Sequence, residues 1–74
     1  MSERGLTEHE ERVMKTANRR IIAKETKVLD RELALYALAA IRHPEAERLL
    51  RKHLESEPFE GIREGVKHIL EKRG

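Results

Sequence analysis

Apolar residues along this chain recur with a helical period. Val13, Ala17 and Ile21 stand four apart, with Leu6 and Met14 beside them, a spacing that gathers side chains into one stripe of an α-helix. Ahead of the stripe, Thr7-Glu8-His9-Glu10 has the form of a capping box, in which Thr7 accepts from the amide three residues on and Glu10 reaches back. Glu8, Glu10 and Glu11 also suit the positive end of the helix dipole. A first helix is predicted over residues 8–24. A second, over residues 28–42, is apolar without interruption from Leu33 to Ile41, and a helix apolar on all sides is normally buried on all sides. Pro44 ends it, because proline disfavours helical geometry at the preceding residue, and then opens a third helix, whose first amide needs no partner. Pro58 repeats the device. The third helix is predicted over 45–55 with Ala46, Leu49, Leu50 and Leu54 inward, and the fourth over 59–72 with Ile62, Val66, Ile69 and Leu70 inward. Links this short make consecutive helices antiparallel. The fold class expected is all-α, four short antiparallel helices in a single domain over residues 1–74.

Composition agrees with that pattern and limits the core. Ala, Leu, Glu, Lys and Arg, the strongest helix formers, dominate, while Tyr36 and Phe59 are the only aromatic residues. A chain of 74 residues buries only about 60% of the surface its unfolded form exposes, so its core is thin. Charged residues make up 41% of the chain, but 38% is hydrophobic and interleaved with them, unlike a disordered segment. Dense charge of both signs, one Asn, and neither Gln nor Cys resemble the composition of thermophilic proteins. The lack of cysteine removes disulfides and thiolate chemistry and fits an intracellular protein. No apolar stretch of signal-peptide length opens the chain and none approaches the roughly 20 residues of a membrane span. The expected location is cytoplasmic, with no membrane partner.

An internal repeat adds to this. A shift of 32 residues places Arg31-Glu32-Leu33-Ala34 over Arg63-Glu64-Gly65-Val66 and Ala37-Leu38 over Ile69-Leu70, a period typical of stacked helical units. The stretch Arg31-x-x-Ala34-x-x-Ala37-Leu38-x-x-Ile41-x-x-Pro44-Glu45-Ala46 resembles the HEAT-like repeat, and Ile62-Arg63-x-x-Val66-x-x-Ile69-Leu70 is similar once more. The resemblance covers residues 28–72 and implies a two-repeat stack whose first and third helices lie outside and whose second and fourth line a concave binding side. A plain four-helix bundle is the alternative. The first helix has no counterpart of Pro44, and solenoids generally need three or more repeats. Gly65 in a helix interior costs about 1 kcal/mol relative to Ala, which implies close packing or a local weakness.

Little in the sequence points to catalysis. His9-Glu10 begins like the zinc-protease pattern His-Glu-x-x-His, but Val13 stands where the second His belongs. His43, His53 and His68 are dispersed, without the close pairing typical of zinc sites, and are expected as surface or boundary histidines. Glu residues on charged helices form i, i+4 ion pairs and solvated faces. Ser2 and Ser56 lack a nucleophile-elbow context, and there is no Gly-rich phosphate loop. The expectation is a protein that is not an enzyme, with no cofactor, no metal and no small-molecule substrate.

Two surfaces remain as binding candidates. With Ala34, Ala37, Leu38 and Ile41 directed inward, 100° per residue turns Glu32, Leu35, Tyr36 and Ala39 to the opposite side of the second helix, where they are expected to meet a protein partner or a second copy of the chain. Coverage of that face by the first or fourth helix is the competing expectation. The other surface is basic: Arg12, Lys15 and Arg19 share the first helix's face opposite Val13, Ala17 and Ile21, and Arg20, Lys24 and Lys27 follow against Glu25 alone. Such a stripe binds phosphates by releasing counterions, although the formal net charge is only +2 and no stacking aromatics accompany it. The function expected is a non-enzymatic interaction or scaffolding module, with a nucleic-acid-associated protein as the alternative.

Overall fold

The computed structural model describes residues 5–23 and 27–72. Among these it contains four α-helices and no strand: α1 (Glu8–Ile22), α2 (Val28–Ala40), α3 (Pro44–Ser56) and α4 (Glu60–Lys72). Their bounds lie within two residues of those predicted, except that the expected last residue of the first helix, Lys24, lies outside the described residues.

Local chemistry sets most of the helix ends. Thr7 Oγ1 accepts from the Glu10 amide at 3.1 Å, and the Thr7 amide donates to Glu10 Oε1 at 3.1 Å, completing the capping box. His43 and Glu57, each preceding a proline, are extended, with φ/ψ of −144/140 and −74/120, as the pyrrolidine ring demands of its neighbour. α2 therefore stops at Ala40 rather than Arg42, with Ile41 already extended. Pro44 occupies the first turn of α3.

The Cα trace measures 38 × 25 × 15 Å, barely thicker than one helix with its side chains, about 10–12 Å. α2 is the hub and packs against α1, α3 and α4. The core combines Ala17 of α1, Ala34, Leu35, Leu38 and Ala39 of α2, Leu50 and Leu54 of α3, and Ile62, Val66 and Leu70 of α4. Ala46 and Ile41 are buried as well, whereas Met14, Ile21, Leu49 and Ile69 are partly buried against that core. So flat a molecule cannot enclose its middle helix on every side. Leu29 and Leu33 of α2 stay 62% and 57% exposed, and Ala40 is also exposed, which corrects the expectation that α2 is buried all round.

Gly65 marks where α4 meets α2. A methyl group there would stand 2.5 Å from Tyr36 Oη and 3.7 Å from Tyr36 Cζ, so the glycine serves close packing. Gly65→Ala alone is expected to forfeit the usual helix-propensity gain and lower stability, whereas in a Tyr36→Phe background it should gain about 0.5–1 kcal/mol. Urea unfolding of the four proteins decides; equal stabilisation in both backgrounds would show that the hydroxyl does not limit the approach.

Candidate functional site

The face of α2 expected to meet a partner is not available for one. Leu35 and Ala39 are 0% and 1% exposed, Glu32 and Tyr36 only half-buried. α4 lies across this side, Tyr36 reaching Gly65, and Leu35 and Ala39 belong to the core. Of the set expected inward, Ala34, Leu38 and Ile41 are buried, whereas Ala37 is half-buried on the side of α1. An all-apolar helix at the centre of a sheet-like stack of helices spends two faces on the core, and what it leaves exposed lies on a third.

That third face adjoins α1. The positions Leu29, Leu33, Ala37 and Ala40, at i, i+4, i+8 and i+11, form a second stripe on α2. Between this stripe and α1 runs a groove of about 370 Å³ with Val13, Thr16 and Ala17 on one wall and Leu33, Ala34 and Ala37 on the other. His9, Arg12 and Arg20 line it from the α1 side. Five of the six wall residues are small or β-branched, so the floor is mostly apolar and shallow. Ala17 is core as its stripe predicts, whereas Val13 and Ala37, also expected inward, are half-buried and Leu33 is exposed; the sequence signal for this is the period of the Leu29–Ala40 stripe, which cannot share a direction with Leu35 and Leu38.

Arg12, Lys15 and Arg19 are exposed on α1; Lys15 and Arg19 lie opposite the buried Ala17, whereas Arg12 stands at the margin of the groove. Lys27 is exposed as the N-cap residue of α2, while Lys24 and Glu25 lie outside the described residues.

The polar side chains deeper in the fold are engaged with one another. Glu57, buried at the α3–α4 turn, takes Arg31 Nε at 2.6 Å and Arg31 Nη2 at 3.2 Å on its two carboxylate oxygens. Glu57 Oε2 also accepts from the Phe59 amide at 3.0 Å, and Arg63 donates to the Glu57 carbonyl oxygen. The Arg31 guanidinium lies 5.7 Å from the Phe59 ring centroid, within cation–π range. Thus Arg31 and Arg63, related by the 32-residue shift, converge on one residue. His53 Nε2 sits 2.8 Å from Asn18 Oδ1, joining α3 to α1, and burial followed by the nearby Lys52 charge holds its pKa below the ordinary value. His43 departs from the expected surface placement: it is buried, and its Nδ1 accepts from the Glu45 amide at 3.1 Å as the cap of α3. A cavity of about 630 Å³ lies beside Asn18, His53, Arg31 and Glu57, but these groups already bond to each other.

Among the described residues no three His, Asp or Glu side chains gather as a metal site, and no helix is long and apolar enough to cross a membrane. Comparison of the chain with protein-family models, with curated proteins and with solved structures found no match.

Proposed function

We propose that this chain is a non-enzymatic interaction module that holds a protein partner by helix packing in the α1–α2 groove. The observation that carries this is Leu33, 57% exposed on the wall of an apolar-floored groove in a chain with little apolar surface to spare for its own core. Leu29 extends the same stripe by one turn. The HEAT-like reading is compatible with this: positions paired by the 32-residue shift share their burial at Ala34/Val66 and Leu38/Leu70, and a two-repeat stack has reason to cover its open side. On this reading the module works in the cytoplasm without a cofactor.

The second reading, nucleic-acid association, is favoured by the exposure of Arg12, Lys15 and Arg19 along one face of α1. A photo-reactive amino acid placed at Leu33, and separately at Arg19, distinguishes the two in cells. Protein adducts from position 33 that survive nuclease treatment support the groove. Adducts confined to position 19 and lost with nuclease, together with salt-steep binding to DNA or RNA that an Arg12→Glu, Lys15→Glu, Arg19→Glu variant abolishes, would establish the second reading instead.

A further inference from the structure

The groove has a chemical asymmetry that narrows its occupant. Its α2 edge, Leu33 with Leu29 beyond it, is apolar, whereas its α1 edge carries His9, Arg12 and Arg20. We propose that the groove takes an acidic amphipathic helix of a partner protein, lying along α1 and α2 as a third helix; this rests on the interaction-module reading above.

Three physical features lead there. Thr16, Ala17, Ala34 and Ala37 on the floor are short enough to let another backbone approach to ordinary helix-packing distance, about 8–10 Å. The occupant must bring its own large apolar side chains, repeated at i, i+3, i+4 and i+7, to cover Val13 and Leu33. Arg12 is exposed on that edge, so a carboxylate on the facing flank of the occupant falls opposite its guanidinium. Only that flank needs charge, because the α2 edge offers apolar contact.

Charge also argues against a second copy of this chain in the groove. A two-fold pairing centred on Thr16 sets Arg12 of one protomer beside Arg20 of its partner, like charge against like charge. A nucleic acid has no use for the apolar floor.

The test uses two stapled helical peptides with the same leucine stripe, one with Glu and one with Lys on the flank, titrated onto the full chain by fluorescence anisotropy. The Glu peptide should bind at least about fivefold more tightly at low salt, and the preference should shrink as salt rises. Leu33→Glu should weaken binding about tenfold or more, and Arg12→Glu should move the preference toward the Lys peptide. Leu33 is exposed, so circular dichroism should find that variant as helical as the parent. Equal binding of both peptides, weakened by Leu33→Glu, would overturn the acidic partner while leaving the groove as the docking site. Binding of neither peptide, indifference to Leu33→Glu, or sedimentation showing a dimer that Leu33→Glu dissolves would overturn the proposal, and absence of position-33 adducts in cells as well would overturn the groove reading with it.

Discussion

A Leu35→Glu, Ala39→Glu double variant is expected to lose its helical circular dichroism at room temperature, whereas Leu33→Glu, on the same helix, is expected to keep it. Leu35 and Ala39 are 0% and 1% exposed in the core, and neither has a cation placed to receive a carboxylate there among the core residues. Burying an unpaired charge costs several kcal/mol even after its pKa adjusts. A chain of this size has in total roughly 4–11 kcal/mol to lose, at 0.05–0.15 kcal/mol per residue. Leu35→Ala, which removes bulk but adds no charge, should cost about 2–5 kcal/mol and leave a folded, weakened protein. Leu35→Glu alone, set against Leu33→Glu, isolates the face of α2, since both positions lie mid-helix and undergo the same chemical change. A folded Leu35→Glu, Ala39→Glu variant that has instead lost a binding partner would restore this face as an interface and refute its burial under α4.

The elements were legible in the sequence because their signals are local. Thr7 and Glu10 act across three residues, Pro44 and Pro58 act on their immediate neighbours, and the stripes of α3 and α4 each have one polar side, so period alone assigns Leu50, Leu54, Val66 and Leu70 inward. α2 lacks that contrast. With Leu33 through Ile41 all apolar, periodicity ranks no direction above another, and the choice between Leu35 and Leu33 as the outward residue depends on where α4 crosses. The one sequence sign of that crossing is Gly65, a residue that sits in a helix at a penalty and clears space for Tyr36. The Arg31–Glu57 pair spans 26 residues and obeys no helical spacing, so nothing short of the packing of α2 against the α3–α4 turn brings it together.

Glu57→Gln is expected to cost about 2–3 kcal/mol at neutral pH, and the gap between variant and parent should close as the solution is acidified. Glu57 is buried with its side chain only 1% exposed, against 19% for Arg31, and breaking a charged, hydrogen-bonded pair at such a depth leaves the partner cation short of an acceptor. Burial pushes the Glu57 carboxyl up. The Arg31 hydrogen bonds, the Phe59 amide and the charges of Arg31 and Arg63 together outweigh it and hold the carboxyl below its ordinary value of 4.5. A carboxyl whose pKa is depressed on folding binds protons more readily when unfolded, so its stabilisation is complete above the unfolded value and disappears as pH falls through the folded one. Urea midpoints of parent and Glu57→Gln should therefore differ by a constant amount above about pH 5 and converge below pH 4.5. High salt should leave most of the difference, because the pair is shielded from solvent, in contrast to the exposed Arg51–Glu47 pair at 3.8 Å. A pH-independent gap would mean that the carboxylate charge contributes nothing and that the Phe59 amide bond alone matters. Since Arg31 lies two residues before Leu33 on α2, the same pair fixes the start of the helix that forms the groove's apolar wall.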